Sequence, residues 1–424
     1  MEFWVINIFA LLILSHLAIK VYFQQTPVVF HHMAPNSTKQ TIIPIKDTRH
    51  LIVSAYKDHR THGEIRVISI IERDQLSPLL CVVYCKEQGY FITTANVDIH
   101  SDHFGFPFVT ADMLCKTKPR CSATHVTIST SPYISEISSM PYLPIKNKNK
   151  VDKNFQYNFT TCISNLFGGY NNVLQFVQTI EMYKILGIEK VYIYNTSCGP
   201  DLQKVLQYYK EEGTVEVEPW PIDQFLVSSK GWKFPERKPD LHNYGQLTTL
   251  NDCIYKNMYR SRYILLNDIE EIIVPYQHAT LGLLIENLQR QNPSVSVFLI
   301  ENHIFPKTVF DTNGTFSLPQ WKKVPGVNIL EHIYREPDRD YVFNPTKMIV
   351  NPREIVRTSV HSVLKNYGDT LSVPSDICKV IHVGEPVQGN LMIEQLIVDT
   401  KLWEYEKELL PNSDHVLKNS GVCS

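Results

Sequence analysis

The sequence predicts an α/β domain of the nucleotide-binding type, preceded by a β-sandwich and by an N-terminal membrane segment. Strand and helix patterns alternate after residue 155, short strand-like runs follow one another between residues 48 and 131, and an apolar run covers Phe3 to Ile19. The predicted boundaries are 1–24 for the membrane segment, 25–47 for a stem, 48–145 for the sandwich and 155–410 for the α/β domain. The 424 residues suffice for two domains, because single cores rarely exceed about 250–300 residues.

The composition is that of a globular protein without a dominant charge. Apolar residues make up 43% of the chain and charged residues 20%, which indicates neither extended disorder nor a polytopic membrane protein. Lysine and arginine (41) nearly balance aspartate and glutamate (43). A large basic field for nucleic acid is therefore not predicted.

The N-terminal apolar run is interrupted only by Asn7, Ser15 and His16, and its length suits a helix that crosses a bilayer. A cleaved signal peptide is the alternative, but the basic leading region and the small-residue cleavage site that it needs are absent. Lys20, just beyond the run, slightly opposes the type II topology that we prefer. We expect a single-pass type II protein of the Golgi or another secretory membrane, with its domains in the lumen.

Sequons and cysteines agree with a luminal location. Four N-x-S/T sequons begin at Asn36, Asn158, Asn195 and Asn313. The nine cysteines allow some disulfide pairs, with at least one thiol left over. A zinc site is the alternative for two of the closely spaced cysteine pairs, although C-x3-C and C-x5-C are not the usual zinc spacings. These pairs are Cys81 with Cys85 and Cys115 with Cys121.

Residues 48–131 contain the short strand-like runs HLIVSAY, EIRVISII, LLCVVYC, YFITTANVDIH and THVTIST. Clusters of Asp, Gly, Pro and Ser separate them, which is typical of antiparallel sandwiches. The polar stretch from Ile145 to Asn154 then interrupts the pattern. We interpret that stretch as a linker between two domains.

Beyond the linker, strands and helices alternate. FTTCIS is a predicted strand, and NNVLQFVQTIEMYKILG has apolar residues at a helical period and ends at Gly187. KVYIYN, DLQKVLQYYKEEG and TVEVEPW continue as strand, helix and strand. Strands joined by such crossovers run parallel and place their ligand at their carboxyl ends. The chain has no GxGxxG or GK[ST] motif, so a dinucleotide site and a P-loop are not predicted.

An acidic turn follows the next predicted strand. A helix from Asn243 to Arg262 leads into YILLNDIEEIIVP, whose apolar strand is followed by Asp268, Glu270 and Glu271. Carboxylates one residue apart at the end of a buried strand can hold Mn²⁺ or Mg²⁺ against a diphosphate. Acidic triplets are also common on solvated loops, and a surface turn without a ligand is the alternative.

Several segments together resemble glycosyltransferase family 92, formerly a domain of unknown function. They are CISNLFGGYNNVLQFVQTIEMYKILGIEKVYIYN, TVEVEPW, HNYGQLTTLNDCIYKNMYRSRYILLNDIEEIIVP and VHSVLKNYG. VDIHSDHFGFPFVTADMLC resembles the segment that precedes the catalytic core of that family. The resemblance implies a GT-A fold, a UDP-sugar donor, a divalent metal, transfer of β-galactose with inversion, and a type II membrane protein of the Golgi.

Within this resemblance, Asp268 and Glu270 match the two arms of the family's D-x-D motif as metal ligands, and Glu271 matches the acid that commonly follows. Glu270 departs from the usual aspartate, so its carboxylate reaches about one carbon further, which could weaken catalysis. The segment H-x-Y-G-Q…N-D-C implies residues beside the donor, with helix packing as the alternative for Tyr244 and Cys253. The matching residues are His242, Tyr244, Gly245, Gln246, Asn251 and Asp252.

A late histidine often adds a third metal or diphosphate ligand in GT-A enzymes. The two candidates are His361 in TSVHSV and His382 in CKVIHVGEP. The family often continues the second segment with an aromatic residue and an arginine, whereas this chain has Val383 and Gly384. A purely structural histidine on a strand is the alternative for both.

Inversion requires one in-line displacement, in which a carboxylate takes the proton of the acceptor hydroxyl. Glu301, at the end of the strand VSVFLI, is the first candidate base, and Asp340, in REPDRDY, is the second. A solvated acid is the alternative for either position. Trp321, in LPQWKK, is a candidate for stacking on a sugar, with an ordinary buried tryptophan as the alternative.

The sequence thus predicts a metal-dependent, inverting glycosyltransferase that moves a hexose, with galactose preferred, from a UDP-sugar to a glycan on a glycoprotein or glycolipid. Mn²⁺ or another divalent metal is the expected cofactor. The alternative from another class is a catalytically weakened homologue that binds glycans or escorts partners in the lumen. A glycoside hydrolase ranks behind both, because it would not need an acidic triplet after a nucleotide-type βαβ unit.

Overall fold

The computed structural model describes residues 35, 38, 40–133, 137, 139–229, 239–339, 344–389 and 391–423. The predicted membrane segment, residues 1–24, and the sequon at Asn36 lie outside this part of the chain. Across the described residues, no helix is both long enough and apolar enough to span a bilayer.

The first domain is built from eight strands in one hydrogen-bonded arrangement. They are β1 (Ile43–Pro44), β2 (Leu51–Asp58), β3 (Glu64–Glu72), β4 (Leu80–Cys85), β5 (Gly89–Ile99), β6 (Phe108–Cys115), β7 (Ala123–Ser129) and β8 (Leu143–Lys146). Their order is β1-β2-β3-β6-β5-β4-β7-β8, and β8 also pairs with β2. The sheet therefore closes on itself as a barrel, with β1 attached outside the ring.

The barrel corrects the prediction of a sandwich. The five predicted strands are present, but β5 pairs with β4 through its first half and with β6 through its second half. In the same way, β8 pairs with β7 through Leu143 and Pro144, and with β2 through Ile145 and Lys146. Strands that pass from one layer to the other in this way join the layers at corners. Full closure leaves no open edge between the layers.

Two disulfides cross the interior of the barrel. Cys81 bonds to Cys115, and Cys85 bonds to Cys121. These pairs join β4 to the end of β6 and to the residues beyond it. All four sulfurs are therefore used, which excludes the zinc alternative for these cysteines.

The second domain contains five α-helices among the described residues: α1 (Val173–Ile185), α2 (Pro200–Glu212), α3 (Gln246–Asn257), α4 (Leu281–Gln291) and α5 (Glu406–Asn419). Its strands are β9 (Tyr157–Leu166), β10 (Lys190–Asn195), β11 (Val215–Pro219), β12 (Ser261–Leu266), β13 (Glu271–Pro275), β14 (Val295–Pro306), β15 (Tyr334–Arg335), β16 (Thr346–Val350), β17 (Ile355–Thr358), β18 (Val363–Asn366), β19 (Asp369–Ser372), β20 (Cys378–Gly384) and β21 (Ile397–Val398). The main sheet has the order β11-β10-β9-β12-β16-β14-β20-β13, and β19 pairs with β14.

The predicted βαβαβ unit is confirmed. Strands β9, β10, β11 and β12 run parallel, while β16 lies antiparallel between β12 and β14. Helices α1 and α2 end where the sequence predicts, since Gly187 and Gly213 adopt positive φ values of 95° and 94°. The order of the parallel strands reverses at β9, so the carboxyl ends of β9 and β12 flank a crevice suited to a ligand.

Helix α3 holds the two domains together. Every one of its residues is buried, as expected for a helix covered on all sides. Cys253 of α3 is bonded to Cys162 of β9, and Thr248 shares a hydrogen bond of 2.8 Å with Thr110 of the barrel. The helix is thereby fixed against both the main sheet and the barrel.

Candidate active site

The acidic turn after β12 is closed by its own hydrogen bonds. The side chain of Asn267 donates to the carbonyl oxygen of Glu271 at 2.7 Å. The amide of Asp268 donates to Glu271 Oε2 at 2.9 Å, and the amide of Glu271 donates to Asp268 O at 3.2 Å. The turn therefore presents its carboxylates in a defined arrangement at the carboxyl end of a parallel strand.

Asp268 receives three side-chain donors from three different elements. Its Oδ1 accepts from Ser164 of β9 at 3.2 Å and from Gln246 of α3 at 2.9 Å. Its Oδ2 accepts from the ammonium of Lys347 on β16 at 2.7 Å. The structure thus places Gln246, which was predicted as a donor-site residue, beside Asp268. One lone pair of Oδ2 remains for a further partner, since each carboxylate oxygen can accept about two bonds.

Lys347 is a charged residue of the site that the sequence does not reveal. Its side chain is only 1% exposed, and its Nζ also lies 2.9 Å from Glu271 Oε2. The ammonium therefore bridges two carboxylates of the acidic turn. The signal available in the sequence is a lysine inside the otherwise apolar strand TKMIV, which is unusual unless the charge has a partner.

The charges around the turn affect Asp268 and Glu270 in opposite directions. Burial alone would raise the pKa of Asp268, but the adjacent Lys347 outweighs it and lowers that pKa below its usual value. Burial, followed by the nearby Asp268 and Glu271, raises the pKa of Glu270 to about 8. Lys347 pairs directly with Asp268 and Glu271, whereas its effect on the pKa of Glu270 is too small to offset burial and the two neighbouring carboxylates.

Glu271 and His382 are direct partners across the antiparallel pair β13 and β20. The amide of Asn302 on β14 donates to Glu271 Oε1 at 3.0 Å and to His382 Nδ1 at 3.1 Å. This bond uses the Nδ1 lone pair of His382, so the neutral ring carries its proton on Nε2. A Cβ atom at Gly384 would approach that Nε2 to 2.7 Å, which explains why this position suits a glycine.

The pKa of His361 is lowered by burial, and Lys347 is near enough for its ammonium to lower it further. The Nδ1 of His361 is 3.1 Å from the carbonyl oxygen of Thr346, which can only accept, so the neutral ring carries its proton on Nδ1. Burial raises the pKa of Asp268 and Lys347 lowers it. His382 and His361 are close enough to lower it further. The structure therefore gathers both predicted histidines around the acidic turn.

A strained turn positions Gln246. Asn243, Tyr244 and Gly245 have consecutive positive φ values of 37°, 53° and 75°, a conformation that costs free energy in residues other than glycine. Trp220 Nε1 donates to the carbonyl oxygen of Tyr244 at 2.7 Å, and the Tyr244 ring stacks on Phe167 at 4.4 Å. Tyr244 thus supports the turn. Its role is packing, which was the alternative to a place beside the donor.

Two residues of the same motif lie elsewhere, which corrects their prediction as donor-site residues. His242 is buried against Phe104 and Phe106, with ring centroids 4.4 and 5.3 Å apart. Asp252 accepts hydroxyl bonds from Tyr56 at 2.7 Å and from Tyr194 at 2.5 Å. Both carboxylate oxygens of Asp252 are therefore occupied at the interface between the barrel and the α/β domain.

The residues predicted for the acceptor side are two candidate bases and one tryptophan. Glu301 lies in the middle of β14 and not at its end as predicted, because the strand continues to Pro306; its carboxylate accepts from the side chain of Asn344. Asp340 lies outside the described residues. Trp321 is buried and donates to Asp414 Oδ1 at 2.6 Å, so it is an ordinary buried tryptophan. Only Glu301 remains as a base candidate with a described position.

The acidic turn fits a divalent ion that arrives with a phosphate ligand. No group of three His, Cys, Asp or Glu side chains within the described residues forms a metal cage. Mg²⁺-type ions, however, are commonly held by one or two carboxylates together with substrate phosphates. Asp268 has an open lone pair, and the carboxylate of Glu270 lies in the same turn, where burial, Asp268 and Glu271 raise its pKa to about 8. These two side chains are the donors that fit.

Comparison with known proteins identifies the second domain. Residues 157–416, well over half of the chain, match the model of Glycosyltransferase family 92. A stretch of 123 residues is 31% identical to beta-1,4-galactosyltransferase galt-1 of Caenorhabditis elegans. That match covers 28% of this chain and 26% of the relative, so only about a quarter of the relative's length is represented.

Solved structures give weaker likenesses. TarS from S. aureus, crystallised with UDP-GlcNAc, is 10% identical over 60% of this chain and 66% of its own, with a TM-score of 0.28. Glucosyl-3-phosphoglycerate synthase from Mycobacterium tuberculosis is 8% identical over 62% of this chain and 80% of its own, with a TM-score of 0.27. Scores this low carry no argument about fold or function.

Proposed function

The chain belongs to glycosyltransferase family 92, and from this premise we propose that it transfers a hexose from a UDP-sugar to a glycan acceptor with inversion at the anomeric carbon. Galactose is the preferred sugar. The name of the galactosyltransferase relative supports this choice, over the quarter of that relative that is matched. A GT-A fold, which the family resemblance implies, is part of the same proposal.

The observation that carries the proposal is the group of charged side chains at the carboxyl end of β12. Asp268 and Glu271 pair with Lys347, and Glu270 lies in the same turn, where the parallel strands of an α/β sheet bind their ligands. Family membership alone would permit a chain that has lost its chemistry. A buried ammonium with ordered acids at this edge favours a working site for a charged donor.

In the proposed reaction, the acceptor hydroxyl oxygen attacks the anomeric carbon and its proton passes to the carboxylate of Glu301. The bond from the anomeric carbon to the diphosphate oxygen breaks, and the electron pair leaves with UDP. Asn344 donates to Glu301 and so orients the base. Gln246, Ser164 and Lys347 orient Asp268.

Asp268 and Glu270 are the residues that would hold a divalent metal, and His361 and His382 flank them. Bound there, the metal would supply positive charge to the leaving diphosphate. Lys347 keeps Asp268 ionised and fixed in place before the donor arrives, because its ammonium lies 2.7 Å from Oδ2.

A location in the secretory lumen is part of the proposal. Three disulfides support it, because such bonds persist in oxidising compartments and are rare in the cytosol. Membrane attachment through the N-terminal apolar segment remains a prediction from the sequence.

The test is a UDP-release assay with the full chain, UDP-sugars as donors, Mn²⁺ and a panel of glycan acceptors. We expect acceptor-dependent release, highest with UDP-galactose, and an inverted linkage in the product by NMR. If glycans bind but no donor yields UDP, the chain is a glycan-binding homologue and the proposal fails. Release from another UDP-sugar alone would overturn the choice of galactose.

A further inference from the structure

A cavity of about 320 Å³ lies beside the acidic turn, on the far side of Asn302. We call it the acceptor cavity. The residues that line it include Glu301, Asn302, Glu336, Asp338, Arg339 and Asn344. We propose that it binds one neutral sugar unit of the acceptor glycan through that sugar's hydroxyl groups. This inference rests on the proposed function and adds the site and chemical class of the acceptor.

The position of the cavity is the first support. Asn302 forms a shared wall, because its amide donates to Glu271 and His382 of the acidic turn while the same residue lines the cavity. Glu301, the base candidate, lines the cavity next to it. A sugar bound there would therefore lie against the proposed base, with Asn302 between the sugar and the acidic turn.

The second support is the set of buried polar atoms that face no protein partner. Among the described residues, no protein atom hydrogen-bonds to Asn302 Oδ1 or to Glu336 Oε2. Glu336 is only 4% exposed, and its other oxygen accepts from the amides of Val387 and Gln388 at 2.8 and 3.0 Å. Buried acceptors are almost always paired in native proteins. Two unpaired acceptors in one cavity indicate a ligand that brings donors, as hydroxyl groups do.

The charge and size of the cavity define the ligand further. Among the described lining residues, the carboxylates are Glu301, Glu336 and Asp338 and the guanidinium is Arg339. Asp338 is also paired with Arg335, which does not line the cavity. The net charge is therefore negative, and an acidic sugar would meet repulsion. The volume lies at the lower end of the range for small-molecule sites, which suits one sugar unit. Most of the described lining residues are polar, so they offer a sugar hydrogen bonds.

The first test replaces Glu336 with Gln in the full chain, with Glu404→Gln as the control on an exposed carboxylate. Loss of a charged hydrogen-bond acceptor should raise the acceptor KM about tenfold or more. The donor KM and the slow hydrolysis of UDP-sugar without acceptor should stay within twofold of wild type. The control should change none of these values. An unchanged acceptor KM in Glu336→Gln, with normal folding, would overturn the inference.

A second variant covers the case in which Glu336→Gln does not fold, since Glu336 accepts two backbone amides. Asp338 is more than half exposed, so Asp338→Asn should fold normally. In this variant, the ratio of kcat/KM for neutral acceptors to kcat/KM for acidic acceptors should fall at least threefold. The inference fails if that preference stays the same as in wild type.

Direct binding separates this inference from the proposed function. Saturation-transfer NMR with the methyl glycosides of galactose, mannose, N-acetylglucosamine, fucose and glucuronic acid requires no turnover. We expect at least one neutral glycoside to bind, glucuronide to bind weakly, and Glu336→Gln or Asp338→Asn to change this pattern. Binding that is unaffected by both variants would place the acceptor elsewhere, even in an active enzyme. If the two variants change glycoside binding but the chain releases no UDP, the inference about the cavity stands and the transferase proposal is overturned.

Discussion

The ammonium of Lys347 lies 2.7 Å from Asp268 Oδ2, and the lysine side chain is 1% exposed. The same nitrogen is 2.9 Å from Glu271 Oε2. A buried charge of this kind is tolerated because its partners satisfy it. The pair therefore fixes an acid of the proposed donor site in its ionised form, and it makes the site dependent on a residue outside the acidic motif.

Removing this ammonium should destabilise the protein strongly. Lys347→Met would leave Asp268 and Glu271 close together without a counter-ion, and breaking a buried pair in this way costs about 3–5 kcal/mol. Chemical denaturation should show a correspondingly lower free energy of unfolding. The matched control is Lys204→Met, whose exposed ion pair with Asp201 should contribute at most about 1 kcal/mol. Equal losses in the two variants would contradict a special role for Lys347.

Asp268→Asn should abolish sugar transfer while the fold is retained. The substitution keeps the size of the side chain but removes the negative charge that faces the diphosphate in the proposed reaction, and we expect a loss in kcat of about 10²–10³ or more. Circular dichroism and the melting temperature should change little, because Glu271 still pairs with Lys347. Full activity with saturating Mn²⁺ and UDP-galactose would remove Asp268 from the mechanism.

His242 should make the fold sensitive to acid. Burial lowers its pKa to about 4, although the nearby Asp102 raises it slightly. An unfolded histidine has a pKa near 6.5, so the unfolded state binds the proton first. Stability is therefore fully present above about pH 6.5 and is lost as the pH falls towards 4. His242→Gln should show a smaller decrease in melting temperature between pH 7 and 5 than wild type, and an identical decrease would contradict this assignment.

The sequence predicts the α/β domain well because its signals are local. Apolar periodicity and C-terminal glycines define α1 and α2, and the parallel strands follow from the crossovers between them. Closure of the barrel depends on β8, which has only four residues and pairs with β2 far away in the chain. No local pattern records such a pairing, so a sandwich and a barrel could not be distinguished.

Helix geometry explains why one residue of the motif lies beside the acidic turn and another lies away from it. Gln246 and Asp252 are six residues apart on α3, which places them about 120° apart around the helix and about 9 Å along it. Gln246 reaches Asp268, whereas Asp252 faces Tyr56 and Tyr194. Similarity along a sequence segment does not say which face of a buried helix meets the ligand.

The described sequons should differ in their use when the chain is produced in a secretory host. Asn158 and Asn313 are exposed, whereas the amide of Asn195 donates to Cys198 Sγ at 3.5 Å and its Oδ1 is buried. A glycan on Asn195 would have to break that packing. Glycopeptide mass spectrometry should find Asn158 and Asn313 modified and Asn195 unmodified. A folded product with a fully occupied Asn195 would contradict the structure at this position.

Glu270 offers the sharpest test of the metal proposal. Glu270→Asp restores the usual family motif with a shorter arm, so we expect activity to be retained or raised. Glu270→Gln should lose most activity, because the amide oxygen is a far weaker ligand for a divalent ion than a carboxylate.

Binding of Mn²⁺ in the presence of UDP, measured by electron paramagnetic resonance, gives a readout without turnover. This binding should weaken about tenfold or more in Glu270→Gln. Glu286→Gln, on the surface of α4 at the opposite end of the sheet, is the control and should bind Mn²⁺ like wild type. Unchanged Mn²⁺ binding in Glu270→Gln would exclude this carboxylate as a ligand and leave its raised pKa as a consequence of burial and of the neighbouring Asp268 and Glu271.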